Sequence, residues 1–354
     1  MSPNPFLGIL LHALGGFAAG SFYIPFKQVR GWAWESYWLV GGVFSWIIAP
    51  WLMAFLVCPE LSQVIGAAPG RSLFWSYFFG VLWGIGGLTF GLSMRYLGMS
   101  LGYALALGFC AAFGTMLPPL VNGQFPMLVA TRSGRITLAG VLICLTGIAI
   151  CGKAGVAKER ELTQDQKKAT IQEFNFAKGV WVAVLAGIMS ACMAFGIAAG
   201  KPIASLAIEH GTPVLWQNTP IFVVILAGGF TTNCVWCLVL NWRNRTGRDY
   251  FRRGHISLAA NYLFSALAGV TWYFQFFFYG MGTTRMGRYD FSSWTIHMAF
   301  IIIFSNLWGL IFKEWKGSSS RTHHLVFAGI LVLITSTLVI GLGNYAADSA
   351  SPSR

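Results

Sequence analysis

Apolar residues arrive in this chain in blocks of about twenty, separated by short polar stretches. A helix of that length, rising about 1.5 Å per residue, crosses the roughly 30 Å hydrocarbon core of a bilayer. Ten such windows are read: 6–26, 37–57, 74–94, 99–121, 136–152, 179–199, 214–240, 258–280, 291–312 and 324–344. Backbone groups in lipid must find partners within their own segment, so each window predicts a helix. The longest polar interval, Lys153 to Lys178, is rich in Lys, Glu and Gln and leaves five windows on either side. An odd number of spans per half gives the halves opposite orientations. The predicted fold is therefore an all-α integral membrane protein, with ten transmembrane helices in two inverted five-helix repeats. Its predicted divisions are a first repeat over 1–152, a polar central loop over 153–178, a second repeat over 179–345 and a short tail over 346–354. Internal similarity is faint. The third window runs through Arg95 into Gly98 and Gly102, and the eighth through Gly280 and Gly282 to Arg285 and Gly287. The first ends in Pro25-Phe26-Lys27, the sixth in Lys201-Pro202.

Composition agrees with this pattern. Of 354 residues 56% are hydrophobic and 10% charged, whereas soluble domains carry about 25% charged residues. The mean hydropathy is +0.63. A soluble protein needs a polar skin that these charges cannot make. The formal charge of +13 does not imply a nucleic-acid partner, because the cations sit in short connections between apolar blocks. The connections after windows one, three, five, seven and nine hold 17 of the 24 lysines and arginines. The positive-inside rule places those connections in the cytoplasm and both termini on the periplasmic side. Met1 to Pro5 lacks the basic start of a cleavable signal, so the first window is expected to be retained. Seven cysteines, most within apolar windows, give no disulfide framework. Cys234 and Cys237 form a C-x-x-C without a nearby His or second Cys pair, so they read as small packing residues rather than a zinc site. No metal, cofactor or obligatory protein partner is expected.

Titratable groups inside spans are costly and therefore mark function. The window histidines are His12 and His297, and an imidazole, with an unperturbed pKa of roughly 6.5, suits proton coupling. Asp290, Trp294, His297, Ile301 and Ser305 follow at helical spacing, which predicts an acid, an aromatic plate and an imidazole on one face. Proton-coupling candidates are His297, Asp290 and His12. Glu35 and Glu314 lie near membrane boundaries. The eighth window offers Trp272, Gln275 and Tyr279 on one face, where aromatic rings pack on sugar C–H groups and an amide meets hydroxyls. Phe276-Phe277-Phe278 reads as lipid contact. Gln217 and Asn218, which open the seventh window, are further binding candidates, as are Trp294 and Tyr23. In the first window His12, Gly16, Ala19 and Tyr23 share a face, and Lys27 reads as an interfacial cation. Gly80, Gly84, Gly87 and Gly91 predict tight helix packing by the third window. Enzyme signatures are missing: there is no H-E-x-x-H and no G-x-x-x-x-G-K-[ST], and Gly91-Leu92-Ser93 has no supporting geometry.

Several blocks carry a resemblance. Ser21 through Lys27 (SFYIPFK), Trp32 through Glu35 (WAWE), Gly91 through Gly102 (GLSMRYLGMSLG), Trp272 through Gly280 (WYFQFFFYG), Tyr289 through Phe300 (YDFSSWTIHMAF) and Lys313-Glu314-Trp315 resemble the L-rhamnose–proton symporter family. The likeness is weak in 153–177, in 243–257 and after Tyr345. It implies the drug/metabolite transporter superfamily, and proton-driven uptake of L-rhamnose or a related sugar such as L-lyxose across the bacterial inner membrane. That superfamily's usual cytoplasmic termini disagree with this chain's own charge count. A proton-antiporting exporter of metabolites or drugs on the same fold is the alternative expectation.

Overall fold

The computed structural model describes residues 3–97, 99–121, 123–161, 176–251, 257–313 and 315–349. Most of the central loop, Glu314 and the end of the tail lie outside the described residues. Secondary structure is helical, with no strand among the described residues. Each predicted window holds a long helix. These are α1 (Pro5–Ser21), α2 (Trp34–Val57), α3 (Gly70–Leu97), α4 (Met99–Val121), α5 (Arg132–Glu161), α6 (Phe176–Ala199), α7 (Thr219–Asn244), α8 (Leu258–Thr283), α9 (Ser293–Ile311) and α10 (Ser320–Ser349).

Among the described residues, eight stretches are long and apolar enough to cross a membrane. Within α4 the apolar part is shorter, Leu105–Val121. The helix α8 falls outside the eight, since Asn261, Tyr262, Trp272, Tyr273, Gln275 and Tyr279 dilute its apolar character. The chain is a multi-pass membrane protein.

Proline shapes α2. It is α-helical over Trp34–Gly42, π-helical over Val43–Ile48 and α-helical again over Ala49–Val57. Pro50 has no N–H, so the carbonyl of Trp46 four residues earlier loses its α-helical donor and is crowded by the ring. A wider π turn relieves the crowding and resets which side chains face inward.

Two compact units form, each drawing on both halves of the sequence. Unit 1 comprises residues 1–17, 86–194 and 281–354; unit 2 comprises 18–85 and 195–280. The helices α1, α3, α6 and α8 are each shared between the units, with α2 and α7 wholly in unit 2 and α4, α5, α9 and α10 in unit 1.

In unit 1, α5 and α10 pack closely. A Cβ on Gly140 would lie 2.6 Å from the Ile340 side chain, one on Gly147 2.9 Å from Leu333, and one on Gly329 2.5 Å from the Cys151 sulfur. Contacts advance along α5 as they retreat along α10, so the two run antiparallel at glycine-width spacing. Ile9, Val141, Met286, Ile296 and Ile340 form an apolar core there.

In unit 2, α3 crosses α7 where Gly80 lies directly against the Ile225 carbonyl. Gly84 meets Thr232 and the Gly229 carbonyl. A Cβ added at Gly87 or Gly91 would meet nothing within 4 Å among the described residues, so the predicted glycine face is a packing surface only in its first half. One end of the unit carries a partly buried polar network. Asn244 and Thr246 donate to the Glu35 carboxylate at 3.0 and 2.8 Å, while Ser36 and the Ala33 N–H each donate to Asp249 at 2.8 Å. These bonds tie the α1–α2 connection to the segment after α7. The seven cysteines are free, and all but Cys234 are buried.

Candidate functional site

The proton-coupling histidines come together in unit 1. His12 of α1 and His297 of α9 are both fully buried, with ring centroids 6.2 Å apart and planes inclined at 61°. The His297 imidazole also interacts with the main chain of His12. Gly282, near the end of α8, makes the His12 position possible: a Cβ there would lie 2.7 Å from the imidazole Cε1. Behind His297, the Trp294 ring centroid is 6.4 Å away, and its indole N–H donates to the Cys110 carbonyl at 3.1 Å. Gly114 of α4 leaves room for that indole. Thr115 and Thr295 join their hydroxyls at 2.6 Å beside it. Trp294 is thus a packed strut that fixes α9 against α4, with its donor already engaged.

Asp290 sits elsewhere than the spacing predicts. It lies in a 3₁₀ turn, Gly287–Ser292, ahead of α9, and Tyr289 has non-helical angles of φ −107° and ψ 48°. The Tyr289 hydroxyl is held by Thr131 and Ser133 at 3.1 and 3.0 Å, and this anchor breaks the helix before Trp294. Asp290 therefore does not continue the α-helical face of Trp294 and His297. After α1 ends at Ser21, Phe22 keeps helical angles of φ −62° and ψ −24° and leads into a short helix, Tyr23–Phe26, where Tyr23 is 39% exposed and packs on Phe22 at 4.5 Å.

Of the sugar-binding candidates, Trp294 lies in unit 1 beside His297, and the others lie in unit 2. On α8, Gln275 and Tyr279 are buried and Trp272 is half-buried. Trp272 stands nearly perpendicular to Trp46 at 5.5 Å and tilted against Trp83 at 5.6 Å. Phe276 is buried between Trp272, Trp83 and Phe222, which corrects the expectation that it faces lipid. Asn218, before α7, donates to the Gly280 carbonyl at 2.9 Å and so links α7 to α8. Gln217 beside it is half-buried. The amide nitrogen of Gln275 and the indole nitrogen of Trp46 are buried without a hydrogen-bond partner among the described residues.

Sequence reading missed Trp38, Trp46 and Trp83. They lie in uniformly apolar windows, where periodicity does not separate an inward indole from a lipid-facing one. The usable signal was Pro50, four residues after Trp46, which announces an irregular turn. No cluster of three or more His, Cys, Asp or Glu suited to a metal stands among the described residues.

Comparison with known proteins converges. Residues 1–346 match the family described as L-rhamnose-proton symport protein (RhaT). Proteins named L-rhamnose-proton symporter from Yersinia pestis (strain Pestoides F) and Cronobacter sakazakii (strain ATCC BAA-894) are each 40% identical over 340 residues, covering 95% of this chain and 97% of theirs.

Proposed function

Because the chain belongs to the L-rhamnose-proton symport protein (RhaT) family, we propose that it imports L-rhamnose, or a close relative such as L-lyxose, together with protons. It is a secondary transporter, not an enzyme, and works by alternating access in the bacterial inner membrane. The observation that carries this reading is the end-to-end family match, with relatives at 40% identity over 95% of the chain.

The buried histidines supply the proton chemistry. His297 takes the proton, His12 is its neighbour, and Asp290 relays from the turn ahead of α9. Two cations 6.2 Å apart at an effective dielectric of about 20 repel by roughly 3 kcal/mol, so the pair suits one proton at a time. Trp272, Gln275 and Tyr279 form the core of the sugar site, with Gln217, Asn218 and Tyr23 at its margins, and Trp294 serves His297. The helix α8 carries Gln275 and Tyr279 and then, three residues on, the Gly282 that packs on His12. A shift of α8 on sugar binding therefore reaches the imidazole. Linkage makes the effect reciprocal: a proton that favours sugar binding is itself bound more tightly once sugar is present.

Ten spans in two inverted repeats, on the plan of the drug/metabolite transporter superfamily, fit the same reading. The helices shared between the units, α1, α3, α6 and α8, are matched pairs under a shift of five. The antiparallel pair α5 and α10 is matched in the same way. The repeats are then 1–152 and 179–345, joined by the polar loop 153–178. Two ties support a common face for the odd-numbered connections: Ala33 and Glu35 bond to groups after α7, and Glu161 bonds to Ser319 before α10. With the lysine and arginine count, that face is cytoplasmic and the termini periplasmic. Phosphatase and fluorescent-protein fusions at the C-terminus check this.

Labelled sugar uptake with external pH recorded in the same cells tests the function. L-rhamnose added to de-energised cells is expected to enter and to raise external pH. Sugar entry without any pH change, or no entry, overturns the proposal.

A further inference from the structure

The geometry points to a small cavity in unit 2 as the subsite that receives the methyl group of a 6-deoxyhexose, with Trp46 donating to the adjacent ring oxygen. The cavity has a volume of about 10 Å³ and is walled by Phe22, Trp38, Trp46, Ala268, Gly269 and Trp272. Space of that size admits one small group. Its walls are unsuited to water, which needs two to four polar partners. Ser45 and the indoles of Trp38, Trp46 and Trp272 bring the polar side-chain groups to its lining; the Trp38 N–H already donates to Asn233 at 3.2 Å and the Ser45 hydroxyl to the Gly42 carbonyl at 3.5 Å.

Trp46 is the second, independent observation. It is 5% exposed, and its Nε1 has no acceptor among the described residues. Leaving a buried donor without a partner is unfavourable, so a ligand that brings an acceptor is favoured there. The π turn ahead of Pro50 sets this indole at the cavity wall, and such irregular turns persist where function needs them. Neighbouring indoles at 5.5 and 6.1 Å, Trp272 and Trp38, present rings on which C–H groups pack.

The sugar's own chemistry matches the pairing. L-rhamnose is L-lyxose with a methyl on C5, and the ring oxygen is bonded to that same carbon. A methyl seated in the cavity leaves the ring oxygen two bonds away, next to the wall that Trp46 helps to form. L-mannose carries a hydroxyl on the corresponding carbon, which this apolar box would leave unsatisfied.

The inference rests on the sugar-symport reading, and the experiment separates the two. Uptake efficiency for L-rhamnose, L-lyxose and L-mannose is measured in right-side-out vesicles, for wild type, Ala268→Val and Trp46→Phe. Wild type is expected to prefer L-rhamnose over both others by about tenfold, the discrimination one methylene-sized contact gives. Ala268→Val fills the cavity and brings the rhamnose-to-lyxose ratio down about tenfold. Trp46→Phe keeps a ring but removes the donor, and lowers efficiency for rhamnose and lyxose alike by about tenfold. An unchanged ratio in Ala268→Val overturns the methyl subsite. Should that variant not reach the membrane, Trp46→Phe decides, and wild-type efficiency in it overturns the assignment. Wild type taking up none of the sugars sinks the symport reading, and the subsite with it.

Discussion

His12 and His297 meet edge to face, their ring centroids 6.2 Å apart and neither ring open to solvent. They come from opposite ends of the sequence. Ile296, next to His297, and Ile9, one turn before His12, both belong to the apolar core of unit 1. A charge placed on either ring is therefore felt by the packing around it, which is what a proton carrier coupled to conformation requires.

Replacing His297 by Gln is expected to uncouple the carrier. Concentrative L-rhamnose uptake and sugar-driven alkalinisation are lost, while exchange of labelled for unlabelled sugar without a gradient continues. Alkalinisation equal to wild type in His297→Gln would move the proton to another group. His12→Gln distinguishes partner from carrier: a partner variant still moves protons but with a displaced pH profile.

Gly282 tests the same pair from α8. A Cβ at this position would fall 2.7 Å from the His12 Cε1 and 2.8 Å from its Nε2, well inside contact distance. Gly282→Ala is expected to push the imidazole aside and to weaken coupling, measured as protons moved per sugar, with the helix retained. Overpacking of this kind costs about 1–3 kcal/mol, so melting should fall modestly. A wild-type proton-to-sugar ratio in Gly282→Ala would show that the ring has room to move.

The third helix separates structural glycines from permissive ones. Gly80 faces the Ile225 main-chain carbonyl with no space for a side chain, whereas Gly87 has nothing within 4 Å among the described residues. Gly80→Ala is expected to destabilise unit 2 strongly, because backbone rather than a flexible side chain must yield. Gly87→Ala is expected to be neutral or stabilising by about 0.4–1 kcal/mol, since alanine narrows the unfolded ensemble and favours helix. Thermal midpoints in detergent for the two variants check the contrast, and equal midpoints would refute it.

The fold was largely legible because span length is a direct physical constraint: a block of about twenty apolar residues has one economical solution in lipid. Among the described residues every window holds a helix, and eight stretches are long and apolar enough to cross a membrane. The candidate site was legible where a polar atom interrupts such a block, as at His12, Gln275 and His297. It was not legible where the informative residue is itself apolar. Trp46 looks like any membrane indole until the π turn and the unengaged nitrogen are seen. Helical spacing also misled where the helix was not continuous. Asp290 lies in a 3₁₀ turn next to the anchored, non-helical Tyr289. Periodicity arguments assume an unbroken helix, and the residues that break it are partners distant in sequence.

Glu161 gives a prediction whose size depends on pH. Its carboxylate lies at the start of α10 and accepts from the Ser319 hydroxyl at 2.6 Å, the Ser319 N–H at 2.7 Å and the Thr322 hydroxyl at 2.8 Å. These donors, the Ser319 hydroxyl foremost, hold its pKa below the ordinary value of 4.5, and the positive end of the α10 dipole acts in the same sense. A carboxyl depressed in the folded state contributes stability that is complete above its unfolded pKa and is lost as pH falls through the folded one. Wild type should therefore melt above Glu161→Gln at neutral pH. The gap should narrow below about pH 4.5 and close in stronger acid, where both side chains are neutral. The group is fully exposed, so the gap is small and shrinks with salt. A gap that widens in acid would mean the carboxylate is not the species these donors hold.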